Sequence, residues 1–216
     1  MVSGKGRLLV LEGVDGCGKT TQLQQLSSWL PKSGLMPYGS QLVVTREPGG
    51  TALGGRLRQL LLNPPDDADP EPTAELLLYA ADRAQHVDRV IQPALNSGNW
   101  VLSDRFTGST MAYQGYGRGL DRDLIAELER IATRGLIPDM TFWLDIPLAL
   151  SIERRGDRQE DRIEAEGLAF LERVSNGFSD LADARGWVAV VADLPVLEVT
   201  EAIRTALQIR AAAWEA

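Results

Sequence analysis

The stretch from Gly13 to Thr20 limits what this chain can fold into more than any other part of its sequence. It reads Gly-Val-Asp-Gly-Cys-Gly-Lys-Thr and fits the pattern G-x-x-x-x-G-K-[ST], in which backbone N–H groups surround phosphate groups. The apolar residues Leu8 to Leu11 come just before it and predict a short buried strand. Leucines at helical spacing follow it over residues 21–30 and predict a helix. Because strand, glycine-rich loop and helix occur in this order, the sequence predicts a site for a nucleoside triphosphate.

The side chains of this loop predict how a triphosphate and its metal ion are held. Lys19 is expected to neutralise the terminal phosphates, and the Thr20 hydroxyl is expected to bind Mg²⁺. Cys17 has no evident basic partner, so we expect it to fill space rather than act as a nucleophile. The residues expected to contact the nucleotide are Gly13, Val14, Asp15, Gly16, Cys17, Gly18, Lys19, Thr20 and Thr21.

Length and composition narrow the class of protein further. The chain has 216 residues, which suits a single domain with its own core. Its formal net charge of −8 argues against broad binding to nucleic acids or anionic membranes, so local arginines must hold any anionic ligand. The single cysteine excludes an internal disulfide. Residues 1–7 contain no apolar signal segment and no apolar run is long enough to span a bilayer, so we expect a cytoplasmic protein.

Apolar segments alternate with helical patterns along the whole chain, which is typical of a parallel sheet covered by helices on both faces. In such sheets ligands bind beyond the carboxyl ends of the strands, so the residues just after each strand are the candidates for a site. The predicted strands are Leu8–Leu11, Gln41–Thr45, Trp100–Ser103, Met140–Leu144 and Trp187–Val191.

Charged residues follow the second and third predicted strands. Arg46 and Glu47 precede Pro-Gly-Gly, so a fixed turn is expected to hold them at the cleft, although an ordinary surface turn fits this stretch equally well. Asp104 directly follows the third strand and is expected to be the second ligand of Mg²⁺. Arg105 is then expected to point where phosphoryl charge develops, and a purely structural Asp–Arg ion pair is the alternative.

The predicted helix from Thr73, as its N-cap, to about Asn96 carries polar groups in an otherwise apolar first half. Tyr79 and Arg83 lie one turn apart on the same face, an arrangement that suits a base carrying a phosphate. The alternative is a core tyrosine beside a surface ion pair of Arg83 with Asp82. The sole histidine, His86, is expected on the helix surface.

Two later stretches have simpler interpretations. Residues 109–119 are polar and rich in glycine, so they can line a pocket. Asp121 is expected to cap a helix that Gly135 closes. The predicted core side of this helix is Leu124, Ile125, Leu128 and Ile131.

The segment after the fourth strand is dense in charge. Arg154, Arg158 and Arg162 are spaced by four residues, so in a helix they share one face. A solvated helix with surface ion pairs is one interpretation. Because Gly156 breaks the helical pattern and the chain is otherwise short of positive charge, we favour a mobile flap that brings arginines over the phosphates.

In these motifs taken together, the chain resembles bacterial thymidylate kinases over nearly its whole length. The phosphate loop alone identifies only a superfamily, whereas Arg-Glu-Pro-Gly-Gly-Thr at 46–51 together with Asp-Arg-Phe at 104–106 and Tyr-Gln-Gly at 113–115 is much more specific. The matching stretches are 11–21, 45–51, 82–83, 104–106, 112–115 and 161–164. Residues 14–17 contain no base, whereas Arg154, Arg155, Arg158 and Arg162 are crowded together, so the chain is similar to the family's version with arginines in the lid.

The resemblance implies a fold and a reaction. The fold is a three-layer P-loop nucleoside triphosphatase domain over residues 1–216, with a five-stranded parallel sheet of order 2-3-1-4-5 and a lid at about 151–163. The reaction moves the γ-phosphate of ATP onto dTMP with the help of Mg²⁺. The resemblance also implies a homodimer.

The resemblance further implies roles for single residues. Asp15 takes the sugar 3′-hydroxyl of dTMP, Tyr113 lies under the sugar and Tyr79 stacks on thymine. Arg83 and Arg105 hold the acceptor phosphate, and Glu47 organises the Mg²⁺ and phosphate region. The polar contacts near the base come from Ser109, Thr110 and Gln114. The residues expected to act in catalysis are Lys19, Glu47, Arg105, Arg154 and Arg158.

Three other functions remain open from the residues alone. A guanylate- or uridylate-type kinase shares the loop, the metal site and the lid. A deoxynucleoside kinase needs a general base, for which Glu47 is the only candidate. A nucleotide-dependent switch is a non-enzymatic alternative, although the chain lacks an Asn-Lys-x-Asp stretch for reading guanine.

Overall fold

The computed structural model describes residues 4–65, 68–156 and 161–215 of the chain. Each predicted apolar segment forms a strand, with ends that differ by one residue at most from the prediction. The strands are β1 (Leu8–Glu12), β2 (Leu42–Arg46), β3 (Trp100–Asp104), β4 (Met140–Asp145) and β5 (Val188–Val191).

The strands form one parallel sheet in the order β2-β3-β1-β4-β5, which confirms the predicted fold class. In the register, Asp104 lies opposite both Leu11 and Arg46. The carboxyl ends of β1, β2 and β3 are therefore level, and the loops that follow them meet at the same edge of the sheet.

Helices cover both faces of this sheet. They are α1 (Lys19–Trp29), α2 (Ala52–Leu62), α3 (Pro72–His86), α4 (Gln92–Asn96), α5 (Thr107–Thr110), α6 (Arg122–Thr133), α7 (Leu148–Arg155), α8 (Leu168–Arg185) and α9 (Val196–Glu215). Alternate residues of β1 point to opposite faces, as the strand period requires. Val10 packs with Val87 and Ile91 on one face, whereas Leu9 belongs to the larger cluster around Phe142 on the other.

The long helix predicted from Thr73 forms with two differences. It begins at Pro72 with Glu71 in the capping position, so the prediction of Thr73 as the cap was wrong. Proline is well suited to the first turn, because its missing N–H has no partner there in any helix. The helix continues through a π-helical segment, Val87–Ile91, into α4 and ends at Asn96.

Helix α6 has its predicted cap but a different core face. Asp121 accepts hydrogen bonds from the backbone N–H groups of Asp123 and Leu124. Ile125 and Ala132 are buried, whereas Leu124 and Ile131 are about half exposed. The prediction that these last two belong to the core was wrong, because the buried stripe of this helix runs through 125, 129 and 132.

The arginines after β4 do not share one helical face. Helix α7 ends at Arg155, and Gly156 follows with a φ of 61°. Arg162 therefore lies beyond the helix that carries Arg154, and Arg158 falls outside the described residues. Among the helices in the described ranges, none combines the length and apolar composition that crossing a membrane requires.

Candidate active site

The backbone of the phosphate loop packs closely against helix α7. Gly16 has a φ of 84°, and a Cβ at this position would lie 2.4 Å from the carbonyl oxygen of Ser151 in α7, so only glycine fits. Lys19 is buried, and its Nζ donates to the carbonyl oxygens of Gly13 and Val14 at 3.0 and 2.9 Å. Cys17 is also buried, as the prediction of a space-filling residue requires.

Arg105 connects this loop to the residues after β3. Its backbone has a φ of 71°, a conformation that is unfavourable for any residue other than glycine. Such strain is often found at functional sites. Its guanidinium donates to the carbonyl oxygen of Gly13 at 3.0 Å, to Ser109 Oγ at 2.9 Å and to Asp15 Oδ1 at 2.6 Å. Arg105 therefore stands between the loop and the pocket beside it.

Asp15 is held by the same group of side chains. Tyr113 donates its hydroxyl to Asp15 Oδ2 at 2.9 Å. Loss of surrounding water would raise the pKa of Asp15, but the charges of Arg105 and Lys19 more than offset this effect and hold the pKa well below its ordinary value. Asp15 is therefore an ionised acceptor for a donor group of a ligand.

Glu47 is the centre of a buried polar cluster after β2. Arg83 Nε donates to Glu47 Oε2 at 2.7 Å, and Arg83 Nη2 donates to the carbonyl oxygen of Phe106 at 3.0 Å. His86 Nδ1 lies 2.8 Å from Glu47 Oε1, and its Nε2 lies 2.6 Å from Thr45 Oγ1. An ionised carboxylate only accepts, so Nδ1 carries the hydrogen in this contact.

This cluster corrects the prediction that His86 lies on the helix surface. The side chain is fully buried, because α3 turns this face toward the loop that holds Glu47. The sequence could not place His86, since its partners Thr45 and Glu47 come from a distant part of the chain.

One cleft at this edge of the sheet adjoins Arg105 and Glu47, and we call it the acceptor cleft. The empty space between its walls, counted together with the open solvent at its mouth, is about 580 Å³. All of the residues predicted to bind the acceptor line it, namely Asp15, Glu47, Tyr79, Arg83, Arg105, Ser109, Thr110, Tyr113 and Gln114. The structure thus brings together residues from the loops after β1 and β2, from α3 and from the segment after β3.

A second cleft lies along the phosphate loop, and we call it the phosphate cleft. Its walls include the expected metal ligands Thr20 and Asp104, together with Lys19 and the predicted lid arginines Arg154 and Arg155. The two clefts share Asp15, Glu47, Arg58 and Arg105 among their lining residues. They are therefore neighbouring compartments of one site.

The residues expected to bind Mg²⁺ fit that ion. Asp104 Oδ1 is buried and receives no hydrogen bond within the described part of the chain, an arrangement that is costly for a carboxylate without a cation. Thr20 lines the same cleft with an exposed side chain. Mg²⁺ in kinases commonly takes one or two protein ligands and completes its shell with phosphate oxygens and water, so this small donor set suits it.

The segment around α7 contacts the phosphate loop directly. Ser151 Oγ donates to the carbonyl oxygen of Asp15 at 2.7 Å, and Arg154 donates to the carbonyl oxygen of Ala192 at 2.9 Å. Arg162 points elsewhere, because it donates to the carbonyl oxygen of Leu61 and to the carboxylate of Glu75. Of the predicted lid arginines described here, Arg154 and Arg155 line the phosphate cleft and Arg162 does not.

Several residues at the site were not identified from the sequence. Buried Glu12 accepts hydrogen bonds from the backbone N–H of Phe106 and from Ser109 Oγ, so it fixes the hydroxyl that Arg105 contacts. Arg58 donates to the carbonyl oxygen of Pro48 and lines both clefts. Glu75 of α3 was not identified either. The sequence did place this acid next to the apolar first half of the helix, and a charge buried there requires partners.

Comparison with known proteins agrees with this geometry. The family model described as thymidylate kinase matches residues 11–203. Thymidylate kinase of Synechococcus sp. strain CC9311 is 83% identical over 97% of this chain and 99% of its own length. Thymidylate kinase of Synechococcus sp. strain WH7803 is 68% identical over 96% of this chain and 98% of its own length.

A solved structure shares the fold as well as the sequence. The crystal structure of thymidylate kinase from Ehrlichia chaffeensis superposes with a TM-score of 0.76 at 31% identity, covering 94% of this chain and 99% of that one. The chain therefore belongs to the thymidylate kinase family and is an ATP-dependent phosphotransferase that acts on dTMP.

Proposed function

We propose that the two adjoining clefts hold ATP and dTMP with their reacting phosphates in line, and that Arg105 acts on both. The observation that carries this proposal is the position of the Arg105 guanidinium. It contacts Gly13 in the phosphate loop and both Asp15 and Ser109 beside the acceptor cleft. A charge at this junction stabilises the negative charge that develops between donor and acceptor.

The chemistry asks the protein for alignment and charge. An oxygen of the dTMP phosphate forms a bond to the γ-phosphorus of ATP, while the bond from that phosphorus to the β,γ-bridging oxygen breaks and ADP leaves. The attacking oxygen is already ionised, so no general base is needed. Lys19 at the loop neutralises the donor phosphates, and the fixed geometry supplies the orientation.

The acceptor cleft suits a deoxynucleoside monophosphate. Ionised Asp15 is placed to accept from the sugar 3′-hydroxyl, and Tyr113, which donates to Asp15, lies where its ring crowds a 2′-hydroxyl. Arg83 and Arg105 hold the acceptor phosphate, and the ring of Tyr79 stacks on the base. Ser109, Thr110 and Gln114 supply polar contacts near the base.

Thr20 and Asp104 are the residues that would hold Mg²⁺, and Glu47 organises the region between the metal and the acceptor phosphate. When bound, the ion neutralises charge on the donor phosphates. Glu47 performs its part through the buried contacts that fix Arg83 and His86.

We assign the region 151–163 to a lid within a single domain. Its supporting contacts are those of Ser151 with Asp15 and of Arg154 with Ala192, which place α7 against the phosphate loop. Arg154 and Arg155 line the phosphate cleft together with Lys19, which supports a role for them at the transferring phosphate. Residues 157–160, with Arg158, lie outside the described residues. Since ATP is made and used inside cells, we also place the reaction in the cytoplasm.

Coupled measurement of ADP release tests the assignment of donor, acceptor and metal. With ATP and Mg²⁺, kcat/KM should be highest for dTMP in a panel that also contains dUMP, dCMP, dGMP and UMP, because the chain belongs to the thymidylate kinase family. Thymidine should not serve as acceptor, because Glu47, the candidate general base, is already held by Arg83 and His86. Chelation of the metal with EDTA should abolish turnover. Faster reaction with another monophosphate, or rapid ADP release without an acceptor, would contradict the proposal.

We also propose that the chain forms a homodimer through the outer surface of α2, α3 and α6, which we call the α2–α3–α6 face. Helix α3 packs between the other two, so their outward sides form one surface. Five apolar side chains on it are 41–59% exposed, namely Leu53, Leu60, Leu77, Leu124 and Ile131. Exposed apolar side chains on neighbouring helices are typical of a protein–protein interface, and they support this proposal.

Ultracentrifugation of a charged variant tests the dimer. Ile131→Asp should shift the protein from dimer to monomer, because burial of a carboxylate in an apolar interface is costly. Ile209→Asp is the matched control. Ile209 is exposed on α9, away from the α2–α3–α6 face, and its replacement should leave the dimer intact. A monomeric unmodified protein, or equal dissociation of both variants, would contradict this interface.

A further inference from the structure

A fully buried carboxylate lies behind the acceptor cleft without lining it. Glu75 of α3 has no exposed surface and is absent from the residues that line the cleft. Its oxygens accept hydrogen bonds from Gln114 at 2.7 Å, from Arg118 at 3.1 and 2.8 Å, and from Arg162. Gln114 does line the cleft, so its side chain lies between Glu75 and the proposed position of the base.

The chemistry of Glu75 decides how the Gln114 amide is oriented. An ionised carboxylate accepts hydrogen bonds and donates none, so the amide must present its NH₂ group to Glu75. The amide oxygen, Gln114 Oε1, is then the group left for the cleft. Within the described ranges no residue donates to Oε1. The wall of the cleft therefore offers an acceptor, and not a donor, at this point.

Two arginines keep Glu75 in the form that imposes this orientation. Burial would raise the pKa of Glu75, but the hydrogen bonds from Arg118, Gln114 and Arg162 outweigh burial and lower the pKa below its ordinary value. The carboxylate is therefore ionised at neutral pH. Arg118 and Arg162 also neutralise its charge, which makes burial of the acid tolerable.

We infer that Glu75 is a positioning residue for base selection, which fixes Gln114 so that its oxygen pairs with the N3–H of a thymine or uracil ring and rejects cytosine. Thymine and uracil carry a hydrogen on N3, whereas N3 of cytosine is an acceptor. When two acceptors face each other in a buried site, neither forms a hydrogen bond, and such a mismatch is strongly disfavoured. This inference rests on the proposed placement of the acceptor base against Gln114.

The test compares dTMP with 5-methyl-dCMP, since these acceptors share the methyl group, sugar and phosphate and differ only at N3 and the substituent at C4. The measured quantity is the ratio of their kcat/KM values. Glu75→Gln should lower this ratio about tenfold, the equivalent of one hydrogen bond, because a neutral amide lets Gln114 turn its NH₂ group toward the cleft. Gln114→Met should lower the ratio by at least as much.

A double variant shows whether Glu75 acts through Gln114. In the Gln114→Met background, Glu75→Gln should change the ratio by less than about twofold, because the coupled partner is gone. Arg118→Gln is the structural control. It removes an ion pair from the same carboxylate but leaves the acceptor for Gln114, so it should lower the melting temperature without changing the ratio.

Each outcome decides the inference. An unchanged ratio in Glu75→Gln, or an equal fall in the Gln114→Met background, would overturn it. If Glu75→Gln does not fold, an unchanged ratio in Gln114→Met alone would overturn it as well. Failure of the unmodified protein to phosphorylate dTMP would instead refute the proposed function, so the two failures are distinguishable.

Discussion

Replacement of Arg105 by alanine should lower kcat for dTMP phosphorylation about a hundredfold to a thousandfold, the range for loss of one group that stabilises a transition state. The guanidinium contacts Gly13, Asp15 and Ser109, so it stands where the donor and acceptor phosphates meet. Arg58 also lines both clefts, but its hydrogen bond is to the carbonyl oxygen of Pro48 and not to the phosphate loop. Steady-state kinetics with saturating ATP and dTMP measures the effect.

The control for this prediction is an arginine of the surface. Arg130→Ala on α6 removes an exposed guanidinium whose partner is the neighbouring Glu127, and kcat should remain within about twofold of the unmodified value. Circular dichroism of both variants establishes that they are folded. A kcat for Arg105→Ala close to that of the unmodified protein would remove Arg105 from the chemistry.

Replacement of Glu47 by alanine should lower the free energy of unfolding by about 3–5 kcal/mol, the usual cost of removing one partner from a buried ion pair. Glu47 and Arg83 are both almost fully buried, and their nearest oxygen and nitrogen lie 2.7 Å apart. Without the carboxylate, the carbonyl oxygen of Phe106 is the one hydrogen-bond acceptor that Arg83 keeps among the described residues, and the Nδ1–H of His86 loses its acceptor. Chemical denaturation with extrapolation to water measures the change.

The matched control is a glutamate of the same size on the surface. Glu127 pairs with Arg130 where both side chains are more than half exposed, so Glu127→Ala should change the free energy of unfolding by less than about 1 kcal/mol. A similar change for both glutamates would mean that the Glu47 cluster contributes no more than a surface pair. The KM for dTMP should rise for Glu47→Ala alone, because Arg83 is no longer held beside the cleft.

Patterns that act over a few residues were sufficient to predict the strands and the phosphate loop. Strand β1 is buried on both faces and therefore appears as a continuous apolar run, and the glycines of the phosphate loop provide the positive φ angles that its turn requires. The charged residues after β2 and β3 were also recognisable, since parallel strands bring their carboxyl ends to one edge of the sheet. The order of the strands came from the resemblance and not from these patterns.

The orientation of single helices needed the tertiary structure. In α6 the leucines and isoleucines form one wide apolar stripe, and the buried face is offset toward Ile125, so periodicity alone could not show that Leu124 and Ile131 stay exposed. The same is true of α3, where the fold turns His86 inward toward Glu47. Packing against neighbouring elements decides which face is covered, and no local pattern contains that information.

The sequence by itself therefore determined the parts of the protein that are made by neighbouring residues, namely the strands, the phosphate loop and the acids and bases at strand ends. Only the tertiary structure decided which of these side chains meet. Glu75, Gln114 and Arg162 come from separate segments, as do Glu47 and His86. Their contacts depend on how the segments pack around the sheet, because a hydrogen bond or ion pair requires two groups within about 3 Å of each other, whatever their separation along the chain.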